Sequence, residues 1–151
     1  MDKGSVVEFI LFYSSFFGSN IFAFLSGFLI LYLDVVVGVF YFIALIFSYL
    51  ITVIIRLLYY KPRPKKIENK GFMTRISESS FPSAHIQRAI LIAYYLFVLY
   101  PFSLLFSIFF VVLVGVSRVF KERHYSIDVY GGVFVILVIL VFVELFRFFL
   151  F

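Results

Sequence analysis

At 151 residues the chain has room for one domain over residues 1–151, and 64% of it is hydrophobic, against roughly 45–50% in an ordinary soluble domain. That composition excludes a water-soluble globule and predicts an integral membrane protein. The absence of cysteine excludes a disulfide framework and thiol chemistry. The net charge of +5 does not point to nucleic acid, because the basic residues interrupt apolar runs and so suit anionic headgroups or a phosphorylated ligand.

The N-terminal stretch "MDKGSVVEFILFYSS" has neither a basic leader nor a small-residue cleavage site, so no removed signal peptide is expected. Phe9 to Leu33 carries no charge, but Ser14, Ser15, Ser19 and Asn20 gather around Gly18. This pattern predicts an interfacial helix over roughly residues 4–17 and a short span over roughly 20–33, with one long tilted helix as the alternative. Val35 to Ile55 is an uncharged run ending at Arg56 and predicts a second span. The long polar loop "RLLYYKPRPKKIENKGFMTRISESSFP" follows. Ala89 to Ser117 is again uncharged, with Tyr100-Pro101 in its middle. One helix there would be about 43 Å long, beyond a hydrocarbon core of about 30 Å. Two helices, at about 85–100 and 102–117, fit better, because proline breaks the hydrogen-bond ladder. A last span runs from about Ser126 to Leu150 and carries Glu144 and Arg147 near its far end, read as a helix-end ion pair. The expected fold is therefore all-α: an integral membrane helical bundle of about five transmembrane helices plus an N-terminal interfacial helix.

Counting crossings brings the end of the second span, the start of the third, the end of the fourth and the start of the fifth to one membrane face. Every unusual polar residue lies at one of those places, and polar groups at membrane depth are costly and usually functional. Three clusters meet there: "RLLYYKPRP" with Arg56 and Arg63, "PSAH" with Ser83, Ala84 and His85, and "SRVFKERHYSID" with Arg118, His124 and Asp128.

In "PSAH", Ser79 or Ser80 can cap a helix whose first turn holds Pro82, leaving the amides near Ser83 and Ala84 as an anion site with His85 beside it. A plain surface cap with a bystander histidine reads equally well from that motif alone. His124 and Asp128 are i and i+4, so on a helix the carboxylate can accept the Nδ1–H bond and leave Nε2 as a nucleophile. An ordinary ion pair at a helix start is the alternative. Arg118, Arg56 and Arg63 offer planar forks for phosphate oxygens. Lys61, Lys65, Lys66, Lys121 and Arg123 are assigned to headgroup contacts and topology. The carboxylates Asp128, Glu122, Glu78 and Glu68 are too scattered for a magnesium cluster, so neither metal nor cofactor is expected.

Taken together these residues resemble the type 2 phosphatidic acid phosphatase superfamily, to which vanadium haloperoxidases and glucose-6-phosphatase are related. Its signature is K-x6-R-P, then P-S-G-H, then S-R-x5-H-x3-D. The third motif matches in full at Ser117, Arg118, His124 and Asp128; Ala84 stands in place of glycine in the second, and Arg56 in place of lysine in the first, with Arg63-Pro64 intact. The resemblance covers roughly residues 18–145. It implies an all-helical, metal-independent phosphohydrolase in which His124 attacks phosphorus to form a phosphohistidine, Asp128 orients it, and His85 protonates the leaving alcohol and then activates water. Arg56, Arg63, Arg118, Ser83 and the Ala84 amide would hold the phosphoryl oxygens.

The expected substrate is a phosphorylated lipid reached from the bilayer: phosphatidic acid, phosphatidylglycerophosphate or a polyprenyl diphosphate. A membrane protein that binds phosphorylated lipid without turnover is the alternative. Lys3 and the basic loops place the active face on the cytoplasmic side of the cell membrane by the positive-inside rule. Nothing in the sequence sets an oligomeric state.

Overall fold

The computed structural model describes residues 9–11, 13–65 and 74–151; Lys66 and Glu68, both named above, lie outside the described residues, as do residues 4–8 of the expected interfacial helix. All regular structure among the described residues is helical. After a helical stretch, Phe9–Gly18, come α1 (Asn20–Leu33), α2 (Val35–Leu58), the short α3 (Thr74–Glu78), α4 (Ala84–Leu99), α5 (Leu104–Phe120) and α6 (Ser126–Leu150).

Each boundary has a local cause. Phe9–Gly18 and α1 meet at 56°, with Ser19 extended between them and its Oγ accepting the Phe22 N–H at 3.2 Å. The chain therefore breaks where its serines and Gly18 cluster, as two elements. α1 and α2 are separated by Asp34 alone, whose Oδ1 accepts the Val37 N–H at 2.9 Å and caps α2. A Cβ on Gly38 would stand 2.3 Å from the Leu31 backbone, so only glycine permits so tight a helical hairpin. α4 stops at Leu99, Pro101–Ser103 forms a 3-10 turn, and α5 begins at Leu104, which is the break expected at Pro101.

α4 is the centre of the bundle, with α1, α2, α5 and α6 all packed on it. The core joins Ala23 and Ile30, Tyr41, Ala44 and Leu45, Leu91 and Tyr95, and Ile136 and Val143 from four helices. Polar links thread it as well. Tyr41 Oη donates to the Ala23 carbonyl at 2.7 Å, and the Gln87 side chain binds Ser48 and Thr52 at 2.8–3.1 Å. In lipid such pairs satisfy groups that have no water to turn to.

Among the described residues three helical segments are long and apolar enough to cross a membrane: Val35–Leu58, Pro101–Phe120 and Ser126–Leu150. Phe9–Gly18 with Asn20–Leu33 makes a fourth if the bent pair is one span. The expected count of five is thus not reached by length. The reason is α4, whose 16 residues extend only about 24 Å.

Candidate active site

Four segments meet at one end of the bundle: the C-terminus of α2 with the chain following it, residues 79–83 before α4, the C-terminus of α5, and the turn into α6. The bonds joining them are long-range. Arg56 donates from Nη2 to the Pro82 carbonyl at 2.8 Å and from Nη1 to the Ile76 carbonyl at 3.0 Å. The Ser80 N–H donates to the Lys61 carbonyl at 2.8 Å, and the Ser83 N–H to the Asp128 carbonyl at 2.9 Å. A Cβ on Gly132 would lie 2.6 Å from the Ser83 carbonyl, so glycine lets α6 come this close to the start of α4.

The turn between α5 and α6 delivers His124. The Arg118 carbonyl accepts both the Arg123 and His124 N–H groups at 3.2 Å. Glu122 has φ 53°, a left-handed conformation that costs a non-glycine residue roughly 1–2 kcal/mol and that commonly ends a helix one residue past its C-cap, here Lys121. His124 then lies ahead of α6 rather than on it. Its Nδ1 is 2.7 Å from the Ser80 carbonyl and 3.8 Å from Asp128 Oδ2. The expectation that Asp128 takes the Nδ1–H bond is therefore corrected: the nearer acceptor is a backbone carbonyl. The outcome for the ring is the same, since a carbonyl can only accept, which fixes the proton on Nδ1 and leaves Nε2 with its lone pair.

Asp128, fully buried, is held differently. Its Oδ2 accepts the Tyr125 N–H at 2.8 Å as part of the α6 cap, and its Oδ1 meets Lys61 Nζ at 2.6 Å. Lys61 also lies 4.5 Å over the Tyr125 ring. Its assignment to headgroup contacts is overturned. Lys61 sets both groups nearest His124 Nδ1: Asp128 through its ammonium, Ser80 through its carbonyl.

The start of α4 also departs from expectation. Ser83, not Ser79 or Ser80, is the N-cap residue, and Pro82 precedes the helix. With the Ser83 N–H committed to Asp128, the group Ser83 has left to offer is its hydroxyl. That Oγ is buried without a partner, and so are the Nε atoms of Arg56, Arg63 and Arg118. Leaving a buried donor unsatisfied costs about 1–3 kcal/mol, so four such donors at one end of the bundle suit an acceptor from outside the protein.

His85 opens α4, with Ala84 as the first helical residue. Arg118, Arg88, His124 and Arg63 all stand within electrostatic reach of it. Its Nδ1 is 3.3 Å from Arg88 Nη2. Arginine can only donate, so in the neutral ring Nδ1 accepts and Nε2 carries the proton; a protonated His85 must give up that contact. Arg88 is anchored in turn, its Nε donating to the Gly18 carbonyl at 2.7 Å. Neither Arg88 nor Gln87 was singled out from the sequence. A charge one turn inside an apolar helix was the available signal.

Burial pushes His124 from an ordinary 6.5 down to about 3, helped by Arg118 and Arg63 and opposed by the Ser80 carbonyl. Burial likewise lowers Arg63, with Arg123 adding to the effect and Asp128 opposing it. The sequence-predicted residues Arg56, Arg63, Ser83, Ala84, His85, Arg118, His124 and Asp128 are thus gathered at one end of the bundle, with a neutral imidazole facing a cationic surround.

A sequence model of the PAP2 superfamily matches residues 37–150. The chain belongs to the PAP2 superfamily. The match begins in α2 and runs through α6, so it takes in all eight of those residues and leaves α1 outside. No curated protein and no solved structure matches the chain. Membership in this family points to phosphatase activity on a phosphorylated substrate, and the long apolar helices make the protein one of the membrane.

Proposed function

We propose that the protein is a lipid phosphatase that hydrolyses a phosphate monoester or diphosphate on an amphiphile through a phosphohistidine. What carries this reading is the set of buried donors without protein acceptors, Ser83 Oγ and the Nε atoms of Arg56, Arg63 and Arg118, around a histidine with a free Nε2. Donors alone would suit a binding protein. A neutral imidazole oriented through Nδ1 adds a nucleophile, which binding does not need.

In the first step His124 Nε2 forms a bond to phosphorus as the bond to the leaving oxygen breaks. His85, which takes up a proton and gives up its Arg88 contact as the anionic substrate binds, gives that oxygen its proton. In the second step a water oxygen attacks phosphorus, His85 takes the water's proton, and the bond to His124 breaks to release phosphate. The Ser80 carbonyl and Asp128 stabilise the charge that His124 gains. The guanidinium forks, Ser83 and the Ala84 amide neutralise the phosphoryl oxygens, so the scheme needs neither metal nor cofactor. Candidate substrates are phosphatidic acid, phosphatidylglycerophosphate and a polyprenyl diphosphate.

The test is phosphate release by detergent-purified protein, with chelator present, from each of those three lipids. Release that survives chelator and disappears in His124→Ala supports the reading. Saturable binding of the same lipids without release would make the protein a binder instead. The basic loops favour the cytoplasmic face of the cell membrane for this site; α6 then ends outside, so a C-terminal reporter that works only in cytoplasm should stay dark, and a bright one would reverse the orientation.

A further inference from the structure

We propose that the cleft between α5 and α6 holds one long hydrocarbon chain of the substrate, an assignment that rests on the lipid phosphatase reading of the site. α5 and α6 both lean on α4 and contact each other little, which leaves an open path between them with α4 as its floor. Three hollows follow one another along that path. The first, of about 470 Å³, is polar and lined by Lys65, Arg118, Lys121 and Arg123, with Glu122 and Phe120. The second, of about 570 Å³, shares Phe120 and is lined mainly by apolar side chains, among them Ile86, Val116, Val129 and Val133. The third, of about 290 Å³, shares Val111 and Val112 with the second and reaches Ala93, Ser107 and Leu140.

The sequence of linings is that of an amphiphile. A cationic mouth beside Arg118 gives way to an apolar trough, so the charge pattern fits an anionic head followed by a chain. The second hollow lies one residue along the chain from the reacting groups: Ile86, which follows His85, and Val129, which follows Asp128, both line it. From Ser126 to Leu140 along α6 is about 21 Å, long against a hydrocarbon core of about 30 Å, which suits one long chain lying along the helices. Gly115 lines the trough. A Cβ there would meet Ile86 and Val129 at 3.4 and 3.5 Å, ordinary contact distances, so a side chain can be added at this position without moving the backbone at Cβ.

Two measurements test this. The first compares kcat/KM for hexadecyl phosphate and butyl phosphate in the wild type, Gly115→Phe and Val116→Trp. Filling the trough should lower the hexadecyl-to-butyl ratio about tenfold or more; an unchanged ratio in both variants overturns the assignment. The second needs no turnover. The chain has no cysteine, so Val112→Cys and Leu105→Cys each carry a single bimane label, the first lining the trough, where it is 57% exposed, and the second outside it on α5, 81% exposed. Nitroxide-bearing hexadecyl phosphate should quench the Val112 label saturably, in competition with unlabelled hexadecyl phosphate, and the Leu105 label only in proportion to concentration. Quenching at Val112 that is unsaturable, or equal with nitroxide-bearing hexadecanol, means ordinary bilayer lipid fills the cleft and the assignment fails. Saturable quenching without any phosphate release would leave the trough standing while the hydrolase reading fell. Release with unsaturable quenching would do the reverse.

Discussion

The two ends of this bundle use polar groups to different extents. At the site end, polar bonds join residues far apart in the chain: Lys61 to Asp128, His124 to Ser80, Arg56 to Pro82, Arg88 to Gly18. At the other end the described ion pair, Glu144 to Arg147 at 3.1 Å, lies within a single helix, Glu144 also stands beside Tyr94 and Tyr95 of α4, and helices meet there through rings such as Phe40 with Phe146 and Phe151. Both ends bury polar atoms without partners, including Glu144 Oε1 and Arg147 Nη1. The difference is what surrounds those atoms. Only the site end sets them around an oriented imidazole. Buried ion pairs are weak evidence of stability, so the long-range links are better understood as fixing geometry for a reaction than as holding helices together.

The comparison breaks most sharply at His124. Replacing it with alanine should lower phosphate release by roughly 10⁴-fold or more, while the protein still elutes as the wild type does in detergent. Retained turnover would remove the nucleophile and with it the difference between the two ends. Arg118→Ala comes next. Loss of one charge-stabilising donor should lower kcat about 10²–10³-fold, with Arg118→Lys only partly restoring it, because a point charge does not reproduce a planar fork. Full rescue by lysine would mean that Arg118 supplies charge without geometry.

Much of this end was legible in the sequence because the signals were discrete. Counting apolar runs brought Arg56, His85, Arg118 and Asp128 to one face, and Pro101 marked where a run too long for one span must turn. The rest was hidden for physical reasons. Lys61 flanks a span, and a flanking lysine reads the same whether it meets lipid headgroups or a buried carboxylate. The acceptor for His124 is the Ser80 backbone carbonyl, a group every residue has. Ser79, Ser80 and Ser83 are all good caps by type, so the helix start depended on packing against α6, where Gly132 allows Ser83 to approach. The span count is left unconfirmed at α4, because composition records apolarity but not that a central helix can be short.

Lys61→Met should have a smaller effect, of about tenfold on kcat/KM through misplacement of His124, and a distinctive one on pH. His124 is faced by Asp128, Arg118, Arg63 and Arg56, with His85 nearby. Taking Lys61 away removes a cation and releases Asp128 to pair with the imidazole, so protonation becomes easier. The acid limb of kcat/KM should move up by about one pH unit, and Lys61→Arg should move it back. Substrate ionisation is common to all three proteins and cancels in the comparison. A loss of rate with an unmoved limb would make Lys61 merely structural.

Stability should carry the same signature. Between pH 6.5 and about 3 the unfolded chain binds a proton at His124 that the folded protein does not. Stability from this group is therefore complete above pH 6.5 and is lost as pH falls through that window. Thermal melts in detergent should show a shallower fall below pH 6.5 for His124→Asn than for the wild type; parallel curves would mean that the imidazole is not buried neutral.

The smallest effect is expected at the far end. Glu144 and Arg147 are spaced i, i+3, part-exposed, and near the end of α6, with Tyr94 and Tyr95 of α4 beside Glu144. Pairs of this kind contribute about 0–1 kcal/mol, and removing both partners together leaves no lone charge behind. The double variant Glu144→Gln, Arg147→Gln should melt within about 2 °C of the wild type and release phosphate at the wild-type rate. A large loss of turnover would show that the far end steers the site through α6, and the separation of the two ends would have to be abandoned.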